Sequence, residues 1–170
     1  MYRRGINNYA FIDSQNLNLG TRSLGWKLDF KKFRIYLKDK YFVKKAYLFV
    51  GFVPENQSMY VKLQGSGYIL VFKPTLPDKE GKHKGNVDAD LVLRAMIDFN
   101  DYEQAVIVTS DGDFYCLVKY LYEKNKLKAV ISPYINTCSS LLRNSAKEKI
   151  IFINNLRKKL EYKHIRKNTA

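Results

Sequence analysis

The sequence predicts an α/β fold: a three-layer domain, Rossmann-like in outline, with a mainly parallel sheet of about five strands. Apolar runs of strand length alternate with amphipathic segments of helix length, and glycine or proline lies between many of them. With 170 residues, 46% of them hydrophobic, the chain is long enough for one substantial core and short for two. We therefore expect one domain over residues 1–155, followed by a basic helical tail over residues 156–170.

The first half of the chain supplies three strands and two helices. Apolar runs mark the strands, Asp29 lies near the N-terminus of the first helix, and Pro54 begins the second. A Gly-Ser-Gly break ends that second helix. The predicted order is a strand over 9–12, a helix over 29–37, a strand over 45–52, a helix over 54–65 and a strand over 68–72.

The second half continues the alternation after a charged segment. Residues 78–85 (DKEGKHKG) have no apolar face and predict a surface loop. The later elements are then a helix over 87–99, a strand over 105–108, a helix over 113–124 and a strand over 128–131.

The charge balance indicates a polyanionic partner. The chain has 30 Lys and Arg against 16 Asp and Glu, a formal net charge of +14, which favours nucleic acid or an anionic membrane surface. No apolar run approaches the roughly 20 residues of a membrane-spanning helix, and the first residues lack a signal-peptide stretch. We therefore expect a cytoplasmic protein with no membrane partner.

Aspartates follow the strands that are apolar enough to be central. Asp13 ends the first strand, Asp111 and Asp113 follow the strand over 105–108, and Asp88 begins the helix that precedes that strand. Ligand sites in open parallel sheets lie outside the carboxyl ends of the strands. Because adjacent strands are about 4.8 Å apart, acids at neighbouring strand ends can meet at one ion.

Converging carboxylates repel one another unless a cation or protonation relieves the conflict. All-oxygen sites suit Mg²⁺ or Mn²⁺, and His and Cys at zinc-ligand spacing are absent from the sequence. A magnesium-type ion beside a basic surface is suited to phosphodiester hydrolysis. Each acid also has a structural interpretation: Ser110 and Asp113 have the spacing of a helix cap, and Asp88 suits the positive end of a helix.

Three segments resemble the signature blocks of a known family. They are Phe11-Ile12-Asp13-x-x-Asn16, Lys84-Gly85-x-Val87-Asp88 and Thr109-Ser110-Asp111-Gly112-Asp113-Phe114. Their order and spacing resemble the NYN domain, LabA-like branch, of the PIN-like nuclease superfamily. The resemblance covers roughly residues 8–155, because residues 141–153 are similar to the helix that closes such domains.

The resemblance implies a PIN-like α/β/α fold and RNA cleavage, as a metal-dependent endoribonuclease, with Mg²⁺ or Mn²⁺. By the match of positions, the catalytic and metal-binding acids would be Asp13, Asp88, Asp111 and Asp113. Around them we expect Asn16 as a polar orienter, with Asp90 and Ser110 in supporting positions. Asp98 is interpreted as a solvated helix end. Ser14 and Ser110 are departures, since the family commonly has glycine there.

Basic residues near the predicted site are candidates for RNA contacts. Lys82 and Lys84 lie in the charged loop, where they could hold a phosphate. Between residues 143 and 167 there are nine Lys and Arg and two acids. The expected contacts with RNA, in single-stranded form, come from Lys82, Lys84, Arg22, Lys27, Arg143, Arg157 and Lys158. The resemblance also allows a homodimer.

Two other functions stay open at this point. A non-catalytic RNA-binding or regulatory module could keep the fold, and the departures at Ser14 and Ser110 favour that alternative. Another Mg²⁺-dependent phosphoryl-transfer enzyme, such as a haloacid-dehalogenase-like phosphatase, also uses strand-end aspartates. Its D-x-D block is not met, because Asp13-Ser14-Gln15 has no second acid, and no G-x-x-x-x-G-K-[ST] phosphate loop occurs.

Overall fold

A computed structural model describes residues 6–73, 76–77, 83–84 and 88–163. It confirms the α/β fold, with a parallel sheet of six strands where about five were expected. The strand order is β3-β2-β1-β6-β7-β8, and β4 pairs with β5 in a separate antiparallel ladder. The strands are β1 (Asn8–Asp13), β2 (Val43–Gly51), β3 (Ile69–Lys73), β4 (Leu76–Pro77), β5 (His83–Lys84), β6 (Ala105–Val108), β7 (Leu127–Ser132) and β8 (Ile150–Phe152).

Strands β1 and β6 form the centre of the sheet. They are parallel neighbours, with Tyr9 opposite Ala105 and Ile12 opposite Val108. Every residue of both strands is buried, as expected of strands covered on both faces. The prediction that these two strands are central is confirmed, and it places their carboxyl ends side by side.

Helices cover both faces of the sheet. One apolar cluster unites alternate residues of the central strands with α1, α2 and α7, and the other unites the intervening residues with α4, α5 and α6. This division follows from the period of two in strand side-chain direction. The helices are α1 (Ser14–Ser23), α2 (Phe30–Tyr41), α3 (Gln57–Gly65), α4 (Asp88–Ile97), α5 (Tyr115–Glu123), α6 (Ser140–Ala146) and α7 (Arg157–Leu160).

Helix α1 was missed by the sequence analysis because its apolar signal is weak. Only Leu17 and Thr21 are buried within it. The helix begins instead at a local capping contact, since the Asp13 carboxylate accepts a hydrogen bond from the Asn16 backbone N–H. The first strand therefore passes directly into a helix at Asp13.

The expected closing helix over residues 141–153 is wrong in its second half. Helix α6 ends at Ala146, and Lys147 takes a left-handed backbone angle (φ 51°) that the helix cannot continue through. The chain then enters β8, which pairs with β7 as the sixth strand. The apolar run Ile150–Phe152 is short enough to serve either element, so periodicity alone could not distinguish them.

The chain after β8 folds back onto the segment between α1 and α2. Leu160 in α7 is fully buried, and the Asp29 backbone N–H donates to its carbonyl. Leu28 and Glu161 form an antiparallel bridge, and the Tyr162 N–H donates to the Lys27 carbonyl at 2.8 Å. This stretch of the expected basic tail is therefore packed against the domain.

Candidate active site

Asp13 lies at the carboxyl end of the central strand β1 and is nearly inaccessible, with 6% of its surface exposed. Burial raises its pKa above the ordinary value of 3.8, and the charges of Asp88 and Asp111 raise it further. The Asn16 backbone N–H and the Thr109 hydroxyl act in the opposite direction by donating to its carboxylate. Asp13 is thus a buried acid beside two other acids.

Three further carboxylates converge at the same edge of the sheet. Asp88 comes from the first turn of α4, and Asp111 and Asp113 from the turn after β6. One oxygen from each of the three lies within 4.8 Å of the others, and we call Asp88, Asp111 and Asp113 the acidic cluster. Asp88 and Asp111 are half-buried, and Asp113 is exposed. Segments separated in sequence therefore bring their acids together at the strand ends, as the alternation predicted.

Thr109 connects the two central acids, a contact for which the sequence analysis offered no role. Its hydroxyl donates to Asp13 Oδ2 at 3.5 Å and accepts from the Asp111 backbone N–H at 3.1 Å. The only signal available beforehand was its position at the end of β6. A residue there can face both the neighbouring strand end and the following turn.

Asn16 holds the turn after β6 from the opposite side. Its side-chain oxygen accepts the Ser110 backbone N–H at 2.8 Å, which joins α1 to that turn. The Ser110 hydroxyl lies 2.8 Å from the Ser132 hydroxyl, on β7. The contacts of Asn16 and Ser132 with Ser110 therefore hold the turn after β6, which carries Asp111, and Asn16 orients the backbone of that turn.

Some of the helix-capping contacts expected for these residues are present in the structure. Asp13 caps α1, and Asp111 accepts the Asp113 backbone N–H at 3.0 Å. Ser110 does not act as the expected cap, because its hydroxyl bonds to Ser132 instead. Asp111 accepts this backbone contact with one oxygen, Oδ1, and still converges with Asp88 and Asp113, whereas both oxygens of Asp13 accept hydrogen bonds.

The donor set fits a hard divalent cation. All the clustered ligands are carboxylate oxygens, the type that Mg²⁺ and Mn²⁺ take. Two oxygens bound to one Mg²⁺ lie at most about 4.2 Å apart, so the three carboxylates, which lie within 4.8 Å of one another, would need to close by only a small distance to share one ion. Burial is the main cause of the raised pKa of Asp13, and the nearby charges of Asp88 and Asp111 add to it; a bound cation would offset both effects.

Comparison with known proteins identifies the family. The family model described as NYN domain matches residues 9–154. The chain belongs to the NYN domain family. Its relation to the PIN-like nuclease superfamily, expected from the three sequence blocks, follows from this match, and the matched region contains the four aspartates.

A solved structure shares the fold of this NYN domain. A protein of unknown function from Vibrio parahaemolyticus superposes with a TM-score of 0.75 at 22% sequence identity. The match covers 90% of this chain and 96% of that protein. None of the curated proteins matches the chain. Within the part of the NYN domain that the structure describes, no helix combines the length and apolar character needed to cross a bilayer.

The remaining predicted site residues of the NYN domain lie on several different elements. Asp90 turns toward the edge strand β3, where its carboxylate lies 3.9 Å from the Lys73 ammonium. Lys82 lies outside the described residues, and Lys84 is described only as part of strand β5. Arg143 is exposed one turn into α6, and the residue preceding that helix, Ser139, donates its N–H to the Ser110 carbonyl.

A basic surface forms where α7 packs beside the start of α2. We call it the basic platform and define it by Arg22, Lys27, Lys31, Lys32, Arg157, Lys158, Lys159 and Lys163. Arg157 is ion-paired with Glu161 at 2.9 Å, and the Lys32 ammonium donates to the Glu161 carbonyl. Lys158 is exposed on the same short helix. The packing of the C-terminal segment thus collects charges that are far apart in sequence.

Proposed function

We propose that this NYN domain is a metal-dependent endoribonuclease of the LabA-like branch that hydrolyses phosphodiester bonds in single-stranded RNA. The observation that carries the proposal is the convergence of Asp88, Asp111 and Asp113 beside the buried Asp13. Three acids at the ends of two central strands and a fourth from the first turn of α4 are costly together without a cation. Membership of a family in the PIN-like nuclease superfamily supports the same chemistry.

The residues divide into groups with different tasks. Asp88, Asp111 and Asp113 would hold a Mg²⁺ or Mn²⁺ ion, which supplies Lewis acidity to the scissile phosphate and lowers the pKa of water. Asp13 completes the negative charge around that ion from its buried position. Thr109 and Asn16 hold the acids in place before substrate arrives, so little reorganisation is needed during reaction.

The basic platform favours RNA as the substrate class. Its cations lie on the segments that follow β1 and β8, which both end at the same edge of the parallel sheet as the acids. Phosphates drawn to these cations release counterions, which gives affinity without sequence preference. Arg22, Lys27, Arg157 and Lys158 are the contacts proposed here, together with Arg143 on α6 and with Lys82 and Lys84, which precede α4 in the sequence.

The test is cleavage of a labelled single-stranded RNA in Mg²⁺, Mn²⁺ or EDTA. Wild type is compared with Asp13→Asn and Asp111→Asn, each of which removes a charge and keeps nearly the same shape. Asp39→Asn is the matched control, because Asp39 is exposed on α2 and lies outside the acidic cluster. Circular dichroism establishes that each variant is folded.

Metal-dependent cleavage that is lost in both site variants and retained in Asp39→Asn supports the proposal. Removal of a metal-site carboxylate is expected to lower the rate at least about a hundredfold, the scale of losing one preorganised electrostatic contact. If folded wild type binds RNA and leaves it intact with every metal, the catalytic proposal fails and the alternative of a non-catalytic RNA-binding module replaces it.

A further inference from the structure

The edge of the sheet beside the acidic cluster carries a group of aromatic side chains that the proposed chemistry does not use. Phe52 follows β2, Phe72 lies on β3, and Tyr60 lies on α3. The Tyr60 and Phe72 ring centroids are 4.8 Å apart, and Phe52 lies 5.6 Å from Phe72 and 6.1 Å from Tyr60. We call these three residues the aromatic step.

The register of the sheet places the aromatic step at the same edge as the site, with the Phe72 side chain on the face opposite to that of Asp13. Strand β1 ends at Asp13, opposite Phe49 of β2. Strand β2 continues for two more residues, paired with Phe72 and Lys73 of β3, so this side of the sheet extends about 6–7 Å beyond the end of β1. Since β3 is two strands from β1, Phe72 lies roughly 10 Å across the sheet from Asp13.

The aromatic step combines a buried anchor with two exposed rings. Tyr60 is 5% exposed, whereas Phe52 and Phe72 are 36% and 41% exposed. The Tyr60 hydroxyl accepts the Val53 backbone N–H at 2.9 Å, and the Phe52 N–H donates to the Lys73 carbonyl at 3.0 Å. The two exposed rings are therefore held in place by a packed ring and by backbone contacts, which lowers the entropy cost of binding against them.

Charge on the adjacent face indicates which ligand fits this surface. Phe72 and Lys73 are consecutive on β3, so their side chains point to opposite faces. Lys73 lies on the α4 side, 3.9 Å from Asp90 in the helical turn that also contains Asp88. Aromatic rings bordered by a lysine and a phosphodiester site suit a nucleotide, because its base can stack while its backbone lies toward the cation.

We propose that Phe52 and Phe72 stack unpaired bases of the RNA strand that enters the acidic site, and that this contact selects single strands over duplexes. The inference rests on the proposed function and names a specificity element for it. Bases within a duplex are stacked on one another and do not offer a free face to a protein ring. Stacking is tolerant of sequence, so the aromatic step favours unpaired RNA without a strong base preference.

The experiment measures RNA binding by fluorescence anisotropy in the Asp111→Asn background, which keeps bound RNA intact. Phe52→Leu and Phe72→Leu remove the ring faces and keep an apolar side chain in the packing. Phe42→Leu is the matched control, because Phe42 is an exposed phenylalanine at the opposite edge of the sheet, before β2 begins. Each protein is titrated with a short single-stranded RNA and with an abasic strand of the same length.

Loss of a base-stacking contact is expected to weaken binding of the ordinary strand roughly five- to a hundredfold for each ring variant. Binding of the abasic strand, which has phosphates and no bases, should change little, and Phe42→Leu should bind both strands as the background does. Unchanged affinity for the ordinary strand, or an equal loss on both strands, would overturn the inference.

The outcomes separate this inference from the proposed function. If wild type fails to cleave RNA while both ring variants show base-dependent loss of binding, the nuclease proposal fails and the aromatic step stands. If wild type cleaves RNA and the ring variants bind both strands as the background does, the nuclease proposal stands and the aromatic step is only an apolar cover for the edge strand. Absence of any RNA binding overturns both.

Discussion

Replacing Asp111 by asparagine should stabilise the metal-free protein, although the residue lies in the proposed active site. The carboxylates of Asp111 and Asp88 approach within 4.8 Å. At that separation two like charges repel by about 1 kcal/mol in water and about 3 kcal/mol at the effective dielectric of a partly buried site. Asp113 adds less, because it is exposed and screened by solvent.

The substitution keeps the local fold. Asparagine retains a side-chain oxygen, so the hydrogen bond from the Asp113 backbone N–H is preserved. The net effect in EDTA is therefore relief of repulsion, about 1–3 kcal/mol, which raises Tm by roughly 2–10 °C for a chain of this size. Thermal melts followed by circular dichroism measure this difference directly.

Addition of Mg²⁺ should reverse the order of stability. An ion at a hundredfold excess over its Kd stabilises the wild type by about 2.7 kcal/mol. Asp111→Asn should gain much less, because one of the three converging carboxylates is gone. Asp39→Asn should melt like the wild type with and without the ion. If Asp111→Asn is no more stable than wild type in EDTA and gains as much from Mg²⁺, the reasoning from clustered charge is refuted.

Three other substitutions probe packing and buried charge, two of them at the acidic site and one at the far end of α4. Gly112→Ala would place a Cβ 2.4 Å from the Ser139 hydroxyl oxygen, so the free energy of unfolding measured in urea should fall by about 1–3 kcal/mol. Adding Ser139→Gly should restore that free energy. A Gly112→Ala variant as stable as the wild type would contradict the packing argument. Because the folded-state pKa of Asp13 lies above 3.8, the folded chain holds more protons than the unfolded chain between the unfolded and the folded pKa, so metal-free stability should fall as pH rises through that interval. Asp13→Asn should flatten that part of the stability profile, and an unchanged slope would count against a raised pKa. Asp98→Ala should lower the free energy of unfolding in urea by about 2 kcal/mol, because it removes a buried carboxylate that pairs with Arg94 at 3.5 Å. An unchanged free energy would show that the ion pair does not stabilise the fold.

The sequence was sufficient to predict the central part of the fold and the convergence of the acids. Both depend on local patterns: apolar runs marked β1 and β6, three of the acids lie at or just after the ends of these strands, and Asp88 begins α4. Once two such strands are adjacent and parallel, their carboxyl ends must meet at one edge. The metal-binding and catalytic roles of Asp13, Asp88, Asp111 and Asp113 remain predictions, which the cleavage experiment and the melts test.

Features that depend on long-range packing could not be predicted in this way. Asp98 was expected to be solvated at the end of α4, yet it is 6% exposed, because Arg94 and the packing around the end of the helix enclose it. The Thr109 hydroxyl acquires its two partners only when β1 and the turn after β6 are in place. The aromatic step likewise depends on β2 and β3 extending beyond β1, which is a property of register and not of any local pattern.

The central position of β1 has a consequence for synthesis of the chain. Asp13 and its contact Thr109 are 96 residues apart, and one edge of β1 stays unpaired until β6 has emerged from the ribosome. At about 5–20 residues per second this interval lasts roughly 5–20 s. During that time one edge of a strand with an apolar centre, residues 9–12, is open to wrong partners, and the acids have not yet assembled. The nascent chain therefore lacks the acidic site until β6 has emerged, and premature termination before β6 would leave β1 with an unpaired edge and without Asp111 and Asp113.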